Sequence, residues 1–177
     1  MKTVPLFEEE QQFRQPWLMA LLGITVAPIT LFLIYVMISQ LVFGIPVGSK
    51  PMPNAMAIWF MPLMVLICSG IIWLFWKSKL IVRIDSEMLL IRFFPFTKRE
   101  IPLSKIREFE ARKYNPLGEY GGWGVRLSWK GGKAYTVSGN HGVQFVFRNG
   151  EKLLIGSQKA TEFEAALRSA LAEKIDK

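Results

Sequence analysis

Two long uncharged segments in the first half of the chain constrain its fold more than any other feature. Residues 17–43 and 54–76 contain no Asp, Glu, Lys or Arg. At ~1.5 Å per helical residue, either segment is long enough to cross the ~30 Å hydrocarbon core of a bilayer. Residues 44–53 lie between them and hold three prolines and two glycines, which favour a turn. The pattern therefore predicts an antiparallel hairpin of two transmembrane helices.

The first apolar segment lies near the N-terminus, where a cleaved signal peptide is the alternative. Glu8, Glu9 and Glu10 precede the segment, whereas a signal peptide opens with basic residues. The run is also longer than the apolar region of a signal peptide, and no small-residue cleavage site follows it. We therefore expect residues 1–16 to form an N-terminal tail and residues 17–43 to remain as a span.

The distribution of basic residues around the spans predicts the orientation. Lys77, Lys79 and Arg83 follow the second span closely, whereas only Lys50 lies in the connecting turn. Cytoplasmic loops carry the excess of Lys and Arg, so both termini are expected in the cytoplasm and the chain in the cytoplasmic (inner) membrane. The turn at 44–53 is then external.

Aromatic residues stand at the ends of the spans that face the predicted cytoplasmic side. Trp17 opens the first segment, and Trp73 and Trp76 close the second. Such residues prefer the level of the lipid head groups, although packing between helices is an alternative role. We expect these tryptophans, with Lys77 and Lys79, at the membrane interface.

Residues 77–177 carry the whole net charge of +8 and show the pattern of an antiparallel β domain. Short segments of alternating apolar and polar residues follow one another, and turn-forming residues separate them. Asn149-Gly150 is the strongest hairpin motif, and residues 130–133 indicate another turn. In residues 123–129, the odd-numbered positions share one apolar face. About seven strands are predicted.

A single amphipathic helix is predicted at the C-terminus. Thr161 and Glu164 have the spacing of a capping box. Apolar residues recur after them at helical intervals, at positions 163, 166, 167, 170, 171 and 175. One such helix can cover an open end of a small sheet or barrel.

About seven strands followed by one helix resemble the pleckstrin-homology (PH) superfold, and the two preceding spans resemble bacterial membrane proteins that carry a PH-like domain. The matching stretches are Phe-Glu-Glu-Glu-Gln-Gln-Phe-Arg-Gln at 7–15, Tyr-Gly-Gly-Trp-Gly-Val-Arg at 120–126, Tyr-Thr-Val-Ser-Gly at 135–139 and Ile-Gly-Ser-Gln-Lys at 155–159. The resemblance implies an α+β domain, a PH-like antiparallel β-barrel with a C-terminal helix, and carries no established activity with it.

The candidate binding residues are basic side chains from neighbouring strands and turns, with one tyrosine from the loop at 115–124. They are Arg112, Lys113, Tyr120, Arg126, Lys130 and Lys133. Anionic lipid head groups are the expected contact of this basic face, because a membrane-tethered domain lies near them. A solvated face has the same composition, and tyrosines packed over the rim of a barrel are the commoner arrangement. No nucleic-acid motif accompanies the charge, so nucleic acid is not an expected partner.

The residue types for catalysis or metal binding are sparse. The single histidine, His141, lies in a glycine-rich turn, and the single cysteine, Cys68, lies inside an apolar segment. The glycines at 121, 122 and 124 lack the Gly-Lys-Ser/Thr ending of a phosphate-binding loop. We therefore expect no enzymatic activity and no cofactor.

The leading expectation is a membrane-anchored interaction or scaffold module. The alternative is an accessory subunit of a membrane complex or an oligomeric pore, in which several hairpins line a pathway. Only Thr25, Thr30, Ser39 and Gln40 offer a polar helix face for that role. Neither span holds an ionisable residue at depth, which argues against transport by a single copy.

Overall fold

The computed structural model describes residues 5–128 and 132–175, and the chain divides into two units. Arg14–Lys77 form a helical unit. The residues before Arg14 and those from Ser78 onward form a second, β-rich unit. In chain order, the helical unit therefore lies between two segments of the β-rich unit, rather than before or after the whole of it.

The helical unit contains two long apolar helices, as predicted. Helix α1 (Pro16–Met37) continues through a π-helical turn at Ile38–Val42, and α2 spans Asn54–Lys77. With lengths of 27 and 24 residues, both are long and apolar enough to cross a membrane. Only 11% and 6% of their most apolar windows are buried, whereas a core helix of a soluble protein is mostly buried.

Gln40 joins the two ends of the segment that connects the helices. Its side chain is nearly fully buried, and Nε2 donates to the carbonyl oxygen of Met52 and, at 2.9 Å, to Oδ1 of Asn54. Gly44 and Gly48 between these partners adopt positive φ angles of 67° and 92°. The side-chain amide nitrogen of Gln40 thus forms its hydrogen bonds within the hairpin.

Within the described residues, the β-rich unit holds two open sheets instead of the closed barrel of about seven strands expected from the sequence. In the first, sheet A, the strands are antiparallel and lie side by side in the order in which they occur along the chain. They are β1 (Phe7–Gln12), β2 (Lys79–Ile84), β3 (Met88–Phe94) and β4 (Thr97–Pro102). Sheet B has the order β5-β8-β9-β7-β6, with β5 (Ile106–Lys113), β6 (Gly124–Leu127), β7 (Lys133–Thr136), β8 (His141–Phe147) and β9 (Lys152–Gly156).

Two features of the sheets differ from the sequence expectation. Residues 7–12, expected in the tail before the first span, form β1 and pair with β2. Strands β7 and β9 are parallel, whereas an antiparallel domain was expected. The physical reason is common to both: alternation of side chains indicates which face is buried, but it does not select the neighbouring strand or its direction.

A short helical turn, α3 (Pro116–Tyr120), follows β5. The predicted C-terminal helix, α4 (Ala160–Ile175), is confirmed, and it packs on both sheets. Phe163 of α4 stacks on Phe7 of β1 with ring centroids 5.0 Å apart, and its ring lies 5.9 Å from that of Phe145 in β8. The predicted capping box is wrong, because Thr161 lies inside the helix. Glu164 instead accepts a hydrogen bond of 2.8 Å from the backbone N–H of Ala111 in β5.

Polar side chains of β1 tie sheet A to the end of β9. Glu9 and Gln11 point into the unit and are buried, whereas Glu8 and Glu10 are exposed. Gln11 Nε2 donates to the carbonyl oxygen of Gly156 at 2.8 Å. The segment that precedes the helical unit is therefore an integral part of the β-rich core.

Candidate functional site

The connection between β5 and β6 contains one short helical turn, α3 (Pro116–Tyr120). Asn115 caps it through Oδ1, which accepts a hydrogen bond of 3.0 Å from the backbone N–H of Gly118. Pro116 has the fixed φ that suits the first helical position. Gly121 ends the turn in the left-handed region, at φ 68°. These local interactions stabilise α3 and position Glu119 and Tyr120, which belong to it.

Arg112 of β5 is the centre of a polar network beneath α3. Its Nη2 atom lies 2.8 Å from Glu119 Oε2, 3.1 Å from Gln144 Oε1 and 3.4 Å from the Tyr120 hydroxyl oxygen. The hydrogen bond to Glu119 raises the pKa of Arg112, although partial burial opposes this effect. Arg112 is therefore a permanent cation, and an internal carboxylate already neutralises it.

Tyr114 and Tyr120 belong to a small apolar cluster on sheet B, formed with Ala134 and Leu154. Tyr114 and Tyr120 are 3% and 7% exposed, and their rings meet edge to face at 6.0 Å. Burial raises the pKa of Tyr114 to about 12 and also raises the pKa of Tyr120. Tyr120 is thus a packing residue, in line with the commoner arrangement, and not an exposed aromatic of a recognition loop.

A groove of about 360 Å³ runs beside the network, across the face of sheet B that carries α3. Three of the six candidate binding residues line it, namely Arg112, Tyr120 and Lys133. Lys152, which is not among the residues predicted from the sequence, adds a further positive charge. We refer to this depression as the Arg112 groove. Its chemistry suits an acidic group, but Glu119 occupies the guanidinium that would hold one.

Two of the remaining candidates, Lys113 and Arg126, do not line the Arg112 groove. Lys113 is exposed at the end of β5, opposite His141. Arg126 lies on β6, the far edge strand from β5, and its Nε atom donates to the carbonyl oxygen of Trp123 at 2.9 Å. Lys130 lies outside the described residues. Of the five candidates that the structure describes, three thus line one groove and two lie elsewhere on sheet B.

The residues expected at the membrane interface lie where the two units join in the chain. Trp17, Trp73 and Trp76 are exposed on the helical unit. Arg14 stacks on Trp76, with the guanidinium carbon 4.6 Å from the ring centroid. Lys77 is the last residue of α2 and is exposed.

Lys79 opens β2 and forms an ion pair with Glu10 of β1, at 3.1 Å. This pair is half-exposed, and exposed ion pairs contribute little to stability.

The turn between β3 and β4 is a further feature, which was not predicted from the sequence. We call residues 94–97 the Phe96 turn. Phe96 is 58% exposed at the tip of this turn, and the guanidinium carbon of Arg92 lies 5.9 Å from the Phe94 ring centroid. The run Phe-Phe-Pro-Phe at 93–96, in which a proline interrupts aromatic residues between two strands, was the available sequence signature.

His141 is exposed at the start of β8, and its carbonyl oxygen accepts a hydrogen bond of 3.0 Å from the backbone N–H of Ser157. Over residues 5–128 and 132–175, no group of three or more His, Cys, Asp and Glu side chains is placed to hold a metal ion.

Comparison of the chain with protein-family models and with curated proteins finds no match.

Proposed function

We propose that this chain is a two-span protein of the cytoplasmic membrane whose β-rich unit is a non-enzymatic interaction or scaffold module on the cytoplasmic side. The observation that carries the proposal is the insertion of two long, exposed, apolar helices between the neighbouring strands β1 and β2. Exposed apolar surface of this extent is costly in water and favourable in lipid.

The hydrogen bonds of the spans favour an anchor over a pore. Thr25 Oγ1 donates to the Leu21 carbonyl oxygen at 2.6 Å, and Thr30 Oγ1 donates to the Val26 carbonyl oxygen at 2.8 Å. With Gln40 bonded across the connecting segment, three of the four polar side chains that a pore could use form hydrogen bonds within the hairpin. These contacts support the anchor and favour no pathway.

The Arg112 groove supports an interaction module in preference to an enzyme. Arg112, Glu119, Tyr120 and Gln144 bond to one another and hold α3 on the sheet. A general acid or base must instead be directed at a substrate. The basic balance of the unit, with Lys133 and Lys152 at the groove, favours contacts with acidic partners or anionic lipid.

A PH-like origin of the β-rich unit also belongs to this proposal. A four-stranded antiparallel meander, a second sheet and a single C-terminal helix support it. The parallel β7–β9 pair and the open sheets depart from the pattern, and fold-level likeness alone assigns no ligand.

Membrane topology is the direct test. In the full chain with Cys68→Ser, we would introduce either Ser49→Cys in the connecting segment or Ser86→Cys in the β2–β3 turn, both exposed positions. A membrane-impermeant maleimide should label residue 49 in intact cells and residue 86 only after permeabilisation. Extraction at alkaline pH should leave both variants in the membrane. The reverse labelling pattern, or release at alkaline pH, would overturn the proposal.

A further inference from the structure

The strand register of sheet A brings the ends of three strands together. Gln12, the last residue of β1, pairs with Lys79, the first residue of β2, and Lys79 pairs with Phe94, the last residue of β3. The Phe96 turn then leads from β3 into β4. The turn therefore lies at the end of sheet A where the chain leaves for α1 and returns from α2.

The chain connection from α2 to sheet A is very short. Only Ser78 separates Lys77, the last residue of α2, from Lys79. Two residues span at most about 7 Å even when fully extended. On the proposed function, on which this inference rests, the end of sheet A that carries the Phe96 turn is held at the cytoplasmic surface of the bilayer.

The side chains at this end have the composition of a membrane contact. Phe96 exposes more than half of its surface at the tip. Arg92 and Lys98 are exposed and directly opposite each other in the β3–β4 pair. Like charges in directly opposed positions destabilise a sheet, so this pair is suited to an external anion.

The acidic groups nearby do not cancel this charge. Lys98 forms an ion pair with Glu100 at 2.7 Å, but its side chains are 60% and 51% exposed, so the pair is weak. Glu10 is engaged with Lys79. Arg92 lies over the Phe94 ring, and it lines the same surface depression as Phe96.

We propose that the Phe96 turn is a lipid-contact element: Phe96 inserts into the interfacial layer of the cytoplasmic leaflet, and Arg92 and Lys98 bind anionic lipid head groups. An aromatic ring with flanking cations suits this layer, because the ring takes the apolar level and the cations take the phosphate level. The contact gives the β-rich unit a preferred face toward the membrane and leaves the Arg112 groove free for a partner.

The test uses the full chain with Cys68→Ser, reconstituted into vesicles of phosphatidylcholine alone or mixed with phosphatidylglycerol. An environment-sensitive fluorophore is placed at Thr97→Cys in the Phe96 turn. The matched control is Ser86→Cys, which lies in the turn at the opposite end of sheet A. Iodide in the water and spin-labelled lipids in the bilayer serve as the two quenchers.

In anionic vesicles we expect the probe at position 97 to be protected from iodide and quenched by the spin-labelled lipid, and the probe at position 86 to show the reverse. Removal of each positive charge should weaken the contact about five-fold, so Arg92→Gln with Lys98→Gln should return position 97 to the behaviour of position 86. Phe96→Ser should do the same, and Phe96→Trp should retain the protection, since tryptophan favours the interface.

Equal iodide quenching at positions 97 and 86 in anionic vesicles would overturn this inference. If the protein then still resists alkaline extraction, the membrane anchor stands and only the lipid contact fails. Release of the chain by alkaline extraction would instead remove the proposed function together with this inference. Protection of position 97 that is identical in neutral and anionic vesicles would overturn the role of Arg92 and Lys98.

Discussion

The carboxylate of Glu9 accepts a hydrogen bond of 2.8 Å from the backbone N–H of Gln158, and it also accepts one from the Ser157 hydroxyl. Glu9 precedes the helical unit and Gln158 follows all nine described strands, at a separation of 149 residues. Together with the bond from Gln11 to Gly156, this contact fastens the first strand to the last strand and to the approach of α4.

Removal of this carboxylate should destabilise the β-rich unit. Glu9→Ala leaves the Gln158 N–H and the Ser157 hydroxyl without their charged acceptor, and we expect a loss of about 2 to 3 kcal/mol in the free energy of unfolding. The matched control is Glu8→Ala, because Glu8 is exposed on the opposite face of β1 and should cost less than about 0.5 kcal/mol. Urea denaturation of the full chain in detergent measures both, and equal effects would contradict the role of Glu9.

The β-rich unit should fold without the helical unit if β1 is retained. Phe13 and Ser78 lie next to each other at the open end of the β1–β2 pair, where the backbone N–H of Phe13 reaches the Ser78 carbonyl oxygen at 3.5 Å. Replacing Arg14–Lys77 by Asn-Gly should close a two-residue hairpin there. We expect a soluble, cooperatively unfolding protein with dispersed amide resonances.

The control for that replacement is a fragment that begins at Ser78. It lacks β1, so it leaves unpaired the backbone edge of β2, a strand whose buried side chains include Leu80 and Val82. We expect it to aggregate or to unfold without cooperativity. A fragment from Ser78 that matched the stability of the Asn-Gly protein would show that β1 is dispensable.

Arg112 and Glu119 should be energetically coupled. In a double-mutant cycle with Arg112→Met and Glu119→Gln, we expect a coupling of about 1 kcal/mol, because the pair is only about one third exposed and Tyr120 and Gln144 share it. Arg107 and Glu108 form the control pair, with side chains 56% and 66% exposed, and their coupling should be close to zero. Arg112→Lys should not restore stability, since a lysine lacks the planar fork that contacts both neighbours.

Tyr114 should make the stability of the β-rich unit depend on pH in alkaline solution. Burial raises its pKa in the folded protein to about 12, above the unfolded value of about 10. The folded state therefore binds the phenolic proton more tightly, so the associated stability is complete below about pH 10 and is lost as the pH rises toward 12. Denaturation of the full chain at several pH values should show a smaller decline for Tyr114→Phe.

At neutral pH, Tyr114→Phe should be nearly neutral. The Tyr114 and Thr136 hydroxyls are buried and interact only weakly, outside good hydrogen-bond geometry. Loss of the Tyr114 hydroxyl should therefore change the free energy of unfolding very little. If Tyr114→Phe lowered the free energy of unfolding at neutral pH as much as Glu9→Ala, this hydroxyl would have a strong hydrogen-bond partner in solution.

Several elements could be predicted because their determinants are local. The two apolar helices follow from the length and composition of their segments, and α4 follows from the helical spacing of residues such as Phe163 and Leu167. The hairpin between β8 and β9 follows from Asn149-Gly150, where Gly150 adopts a φ of 83°. In each case the residues that determine the element lie within a few positions of one another.

The basic residues of the candidate site could not be grouped correctly from the sequence. Arg112 and Arg126 are close in the chain, yet β5 and β6 form opposite edges of sheet B. Charge counts record that both are basic, but not that Glu119 neutralises one of them. The distribution of charge over a surface depends on strand order, which adjacent residues do not encode.

The sequence by itself determined that the chain has two long apolar helices, a β-rich remainder and a final amphipathic helix, because hydrophobic content and periodicity are properties of single segments. Only the tertiary structure decided that Glu9 belongs to the core and that the Phe96 turn lies beside the ends of β1 and β2. Three consecutive glutamates look solvated in a sequence, and one of them is buried because donors from the far end of the chain meet it. Such pairings arise from the packing of distant segments, and no local pattern specifies them.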